Sequence, residues 1–156
     1  MAEDELYITE TFKIAKAAVA KGNHPFGALL VYNNEVVATA ENTVALELDC
    51  TCHAELSLVR KVQKIMNKQS LADSVLYTST EPCAMCAGAI YWSGIKKVVF
   101  GCSARKLREI AGKSLDISAR DVYLGSADIV EVVGPVLEEE GAEIHREFWA
   151  NRIQVK

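Results

Sequence analysis

Two cysteines and a histidine give the first hold on this chain. Cys83 and Cys86 stand three apart behind Pro82, and His53 stands two residues before Glu55. A spacing of three puts both thiols on one face of a helix. Proline suits the first helical position, because the amide proton it lacks would be unpaired there, so a helix is expected to open at Pro82. Helix N-termini carry unpaired N–H groups and the positive end of the macrodipole. Both favour thiolate, the form that binds zinc. Two thiolates and one neutral imidazole make three ligands, and a catalytic zinc keeps its fourth position for water. The metal lowers the pKa of that water towards neutrality. At a helix start, His53 reaches the metal while the Glu55 carboxylate approaches the water, takes its proton and passes it to a substrate nitrogen. A lone Cys-x-x-Cys is a weak signal, since a redox dithiol or a four-cysteine structural site with Cys50 and Cys52 would also show it. Neither of those uses His53 and Glu55, and the joint pattern therefore points to hydrolysis.

The elements that must position these residues follow from hydrophobic spacing. Ile8, Phe12, Ala15 and Val19 share one face of a helix from about Asp4 to Lys21. Gly22-Asn23 ends it. Ala28–Tyr32 reads as an apolar strand, Asn33-Asn34 as a hairpin turn with positive φ, and Glu35–Ala40 as the returning strand. His53 to about Met66 is helical, with Leu58, Val62 and Ile65 on one face. Val75–Ser79 is a strand, Pro82 to Trp92 a helix, Lys97–Phe100 a strand, Ile129–Val133 a strand, and Ala142–Arg152 a closing helix. Ser103–Asp128 shows no clear period and is read as a short helix with loops. Helices between the later strands imply parallel crossovers, and the early hairpin makes the sheet mixed. The expected fold is a single-domain α/β/α sandwich over residues 1–156.

The 156 residues are about one domain's worth, with 50% hydrophobic and 24% charged residues, enough for one core without staples. The net charge of −4 is not that of a general nucleic-acid binder. No apolar run approaches the roughly 18 residues that span a bilayer. The acidic start Met1-Ala2-Glu3-Asp4-Glu5 is unlike a secretory leader. A cytoplasmic, reduced protein is expected, without membrane contact. The five cysteines then need an explanation other than disulfides.

His-x-Glu followed by Pro-Cys-x-x-Cys is the pattern of zinc nucleobase deaminases. The chain resembles the cytidine deaminase-like superfamily over roughly Phe12 to Gly101. The resemblance rests on Pro25-Phe26-Gly27-Ala28, Glu41-Asn42-Thr43, Cys52-His53-Ala54-Glu55 and Thr80-Glu81-Pro82-Cys83-Ala84-Met85-Cys86-Ala87-Gly88-Ala89-Ile90. It is most similar to the guanine deaminases, through Phe26 and Ile90-Tyr91-Trp92, and next to the tRNA adenosine deaminases, through Val98-Val99-Phe100-Gly101. It departs from the family at Asp49-Cys50-Thr51-Cys52, where members commonly read Asp-Pro-Thr-Ala. The resemblance implies a five-stranded mixed sheet between helices, a Zn2+ ion on His53, Cys83 and Cys86, and Glu55 as proton shuttle. It also implies that Asn42 hydrogen-bonds the substrate base, with Phe26, Ala54, Asp116 and Trp92 in contact with it. A small nucleobase, guanine first, is the implied substrate, with cytosine or a nucleoside as an alternative beside tRNA adenosine, and a homodimer the implied assembly. The tRNA alternative would use Lys96, Lys97, Arg105, Lys106 and Arg108 against phosphates.

The remaining residues have plainer readings. Cys50, Cys52 and Cys102 are read as small buried thiols. His145, between Glu143 and Glu147, is read as solvated, and Glu138-Glu139-Glu140 as a solvated face. His24 is read as a loop residue with a site-wall role open. Phe148 and Trp149 are read as core anchors or as a tail covering a site.

Overall fold

The computed structural model describes residues 2–150 and 152. Helix α1 (Ala2–Ala20) precedes a hairpin of β1 (Gly27–Tyr32) and β2 (Glu35–Glu41). Asn33 and Asn34 sit at φ 51° and 62°, the pair of positive values that a tight hairpin needs. Next come α2 (Val44–Glu47), α3 (Ala54–Gln63), α4 (Lys68–Ala72), β3 (Val75–Thr80), α5 (Ala84–Ser93) and β4 (Lys97–Cys102). Then follow α6 (Ala104–Ala111), α7 (Ala119–Tyr123), β5 (Glu131–Val133) and α8 (Glu138–Trp149). The expected closing helix took in position 151, which lies outside the described residues.

The strands form one mixed sheet in the order β2-β1-β3-β4-β5. β1 pairs antiparallel with β2 and β3, while β3–β4 and β4–β5 are parallel. Side chains alternate across the sheet. Ala28, Leu30, Leu76 and Val98 face a core with Leu58, Val62 and Ile90 of α3 and α5. Leu29, Val31, Tyr77 and Val99 face the other core, with Ile8 and Phe12 of α1 and Ile144 of α8. The expected three-layer sandwich is the one found. Helix α1 lies so close to β1 that a Cβ on Gly27 would stand 2.6 Å from the Thr11 carbonyl oxygen.

Four expectations need correction. Ile65 is exposed, because α3 ends at Gln63 and the helical period stops with it. The helix at Pro82 starts later: Cys83, with extended backbone, is the N-cap and Ala84 the first helical residue. Cys50 is exposed and Cys52 half-buried, because they ride on a surface loop next to the exposed Leu48; Cys102 alone of the three is buried as expected. His145 is 1% exposed, sharing the inner face of α8 with Gly141, Ala142 and Phe148.

The stretch after β4 holds two helices. Ser103 caps α6 by accepting the Lys106 N–H, and Ser118 caps α7 by accepting the Asp121 N–H. Gly112 ends α6 at φ 79°. These serines and the glycine are ordinary start and stop signals that the sequence already carried. Among the described residues no helix is long and apolar enough to cross a membrane.

Candidate metal centre and active site

Helices α3 and α5 lie on the same face of the sheet and bring their N-termini together. His53 is the N-cap of α3 and Cys83 the N-cap of α5, with Cys86 in the first turn behind it. The His53 Nδ1 stands 3.6 Å from the Sγ of Cys83 and 3.6 Å from that of Cys86. The three donor atoms lie within 4.8 Å of one another. A tetrahedral zinc with ordinary bonds holds nitrogen and sulfur about 3.6 Å apart. The donor set fits zinc in both chemistry and spacing.

The three donor groups differ in how readily they give up their protons. The Cys83 thiol is pushed down to about 4, chiefly by its hydrogen bond from Cys86; burial opposes this, and the hydrogen bond with His53 adds to the lowering. Cys86 goes up, through the same hydrogen bond and its burial. His53 is raised, chiefly by its hydrogen bond to Cys83. A divalent ion would draw both thiols into the thiolate form.

Glu55, in the first turn of α3, is 4% exposed. Burial raises its pKa, and the Thr78 hydroxyl opposes this by donating a 2.7 Å hydrogen bond to Oε1. Thr78 is a central residue of β3, so the sheet itself sets the carboxylate. Asn42, 2% exposed, stands at the end of β2. Its backbone N–H donates to the Phe26 carbonyl at 3.0 Å, and its Oδ1 accepts the Val44 N–H at 3.0 Å. The side-chain Nδ2 is left as a donor.

These groups open into one cavity of about 430 Å³. His53, Cys83, Glu55 and Asn42 form its polar side. Phe26, His24 and Trp149 form an aromatic side, and Met85, Leu107 and Leu115 an apolar one. His24 and Trp149 thus stand in the site wall, and burial lowers the pKa of His24. Glu81 also reaches the cavity. Its two carboxylate oxygens accept the N–H of Ala104 and of Ala119, each at 2.8 Å, and so hold the first residues of α6 and α7. That one residue places the segment whose sequence had no readable period.

Of the expected substrate contacts, the structure brings Asn42 and Phe26 into the cavity. Ala54 is fully buried in the first turn of α3. Asp116 is exposed and ion-pairs with Arg108 away from the cavity, where Ser114 and Leu115 of the same loop line the wall instead. Trp92 is 81% exposed beside Tyr91, clear of the cavity. Sequence reasoning missed Thr78 and Glu81.

Residues 1–102 match the family described as the cytidine and deoxycytidylate deaminase zinc-binding region. The chain belongs to that family. Zinc is its cofactor and deamination its chemistry. A probable cytosine deaminase of Schizosaccharomyces pombe is 40% identical over 153 residues, covering 94% of this chain and 93% of the relative. A tRNA-specific adenosine deaminase of Bacillus subtilis is 39% identical over 140 residues, covering 90% and 84%. A guanine deaminase of Bacillus subtilis is 39% identical over 97 residues, 62% of each chain. The solved guanine deaminase of Nitrosomonas europaea superposes with a TM-score of 0.81 at 24% identity, over 94% of this chain and 84% of that one, and shares the fold. The deaminase family covers three substrates at similar identity.

Proposed function

We propose that this chain is a cytoplasmic hydrolytic deaminase of a free nucleobase, guanine, which it converts with water to xanthine and ammonia. The observation that carries the reading is the convergence of Glu55, Asn42 and the aromatic walls on one cavity beside the metal donors. We assign His53, Cys83 and Cys86 as the zinc ligands. Bound zinc supplies a Lewis acid that makes water a nucleophile at neutral pH. Glu55 takes one proton of the attacking water and gives it to the ring nitrogen beside the attacked carbon; it then takes the remaining proton of the added hydroxyl and gives it to the amine, which leaves as ammonia while the carbon–oxygen double bond forms. Its buried position favours the protonated form, and Thr78 moderates that preference, so the group can run in both directions. The Asn42 Nδ2 donates to the base's carbonyl oxygen, and Phe26 packs against its ring. The cavity has room for a two-ring base.

A second reading, cytosine, is favoured by the 40% identity over nearly the whole chain to the probable cytosine deaminase. Editing of tRNA has less support. Arg105 and Lys106 both pair with Glu109, Arg108 with Asp116, and Lys97 with Glu131, which neutralises much of the basic cluster a phosphate backbone would meet.

The test is ammonia release from guanine, cytosine, adenosine and tRNA by zinc-loaded protein. Guanine turnover is expected. Release only from cytosine, or only from tRNA, replaces the substrate assignment; release from none overturns the enzyme reading. Glu55→Ala is expected to keep zinc and lose turnover. We also propose a homodimer through the face where Trp92, Leu124 and Ile129 are each more than 80% exposed. Sedimentation of a monomer at tens of micromolar would refute it.

A further inference from the structure

His145 is a buried histidine that the deaminase chemistry does not use. It stands on the inner face of α8, four residues before Trp149. The Thr80 Oγ1 lies 2.7 Å from its Nε2, and the Trp149 Nε1 donates to its Nδ1 at 3.3 Å. An indole nitrogen can only donate. Nδ1 is therefore the acceptor, and a neutral ring carries its proton on Nε2, which donates to the Thr80 hydroxyl. Burial keeps the ring neutral, pushing its pKa down to about 4, and the indole donor at Nδ1 leaves the proton on Nε2. The Phe26 ring packs on the same imidazole, with centroids 5.2 Å apart. Both partners, Trp149 and Phe26, line the cavity.

We propose that His145 is a positioning residue which, as a neutral imidazole protonated on Nε2, fixes the Trp149 indole and the Phe26 ring as the aromatic walls against which the base lies. This inference rests on the nucleobase reading above. It adds a specificity-determining wall, Trp149, and the group that aims it. The support runs through β3. Thr78 and Thr80 are two residues apart and so face the same side. The first holds the proton shuttle and the second holds the wall. The Thr78 hydroxyl also lies 3.2 Å from the Thr80 carbonyl oxygen, so the two supports share one short length of backbone. Loosening His145 frees the indole but leaves Glu55 and its Thr78 partner in place. Base affinity falls, and the chemical step does not.

Three measurements test this. Imidazole ¹⁵N shifts of the wild-type chain at pH 7 are expected to show His145 neutral with its proton on Nε2; a proton on Nδ1, or a charged ring, overturns the proposal. The Trp149 indole resonance, identified by its absence in Trp149→Phe, is expected to shift when guanine or cytosine is added. No shift with a base that the enzyme turns over overturns it as well. In kinetics, His145→Phe is expected to keep its zinc, raise KM about tenfold, the upper end for one neutral hydrogen bond, and leave kcat within about twofold. His145→Asn, whose Oδ1 can stand in for Nδ1, is expected to recover most of the KM. A fall in kcat at unchanged KM, or an Asn variant no better than Phe, refutes the positioning role. Should His145→Phe not fold, the tautomer of the native chain still decides. Should no base be deaminated, the substrate reading fails, and the tautomer separately confirms or overturns the role of His145.

Discussion

Thr78→Val removes one hydroxyl and almost nothing else. The side chain is fully buried in β3, valine has the same shape, and strands accept it readily. What is lost is the 2.7 Å hydrogen bond to Glu55 Oε1. A hydrogen bond to a charged group contributes about 1.5–3 kcal/mol. It acts on the ionised form, so its loss raises the Glu55 pKa further, by about one to two units at 1.36 kcal/mol per unit. The acidic limb of kcat/KM against pH reports this group ionised in the free enzyme. It is expected to move up by the same one to two units. Activity then falls about tenfold or more below the limb and recovers well above it. Zinc content, measured by metal analysis of the same preparations, stays at the wild-type level. Stability falls by about 1–3 kcal/mol, because a buried carboxylate oxygen loses its partner. A limb that stays within about 0.3 unit of wild type, or a loss equal at every pH, would refute the claim that Thr78 sets the carboxylate.

Three further outcomes are expected. Glu81→Gln leaves one of the Ala104 and Ala119 amides without an acceptor; it is expected to keep zinc, lower stability by about 1–2 kcal/mol and raise KM, and a KM unchanged in assay would contradict the tether. His145 has a folded pKa of about 4, below the 6.5 it has when unfolded. The unfolded chain therefore binds the proton first, and stability is lost as pH falls from 6.5 towards 4, by about 3 kcal/mol in total; urea unfolding between pH 7 and 5 is expected to show a shallower slope in His145→Phe. Gly27→Ala drives a methyl into the backbone of α1 at Thr11 and Ala15; the expected result is a midpoint of thermal unfolding lowered by several degrees, and an unchanged midpoint would mean that α1 yields freely.

The clustering of the candidate metal donors was legible in the sequence because its parts are short and local. His53, Glu55, Cys83 and Cys86 each sit at or just inside a helix N-terminus, and a few residues of spacing set their directions. The sheet was legible because Leu29 to Val31, Leu76 to Tyr77 and Val98 to Val99 alternate between two cores. The supports were not. Thr78 looks like any buried strand threonine until Glu55 is seen across from it, 23 residues away in sequence. The charged neighbours of His145 point to solvent, although its spacing from Gly141, Ala142 and Phe148 carries the helical period of the buried face. Asp116 could not be placed by pattern, because the path of its segment is decided by Glu81 from 23 and 38 residues away.

That attachment has a consequence for changing the protein. Helices α6 and α7 hang by their first amides from the two oxygens of one carboxylate, and the connection between them, residues 112–118, supplies Lys113, Ser114 and Leu115 to the cavity rim. A longer or different connection leaves both points of attachment untouched. On the proposed reading the segment is a replaceable cassette: its contents can be rewritten to admit another amine while His53, Cys83, Cys86, Glu55 and the Phe26 and Trp149 rings keep their places.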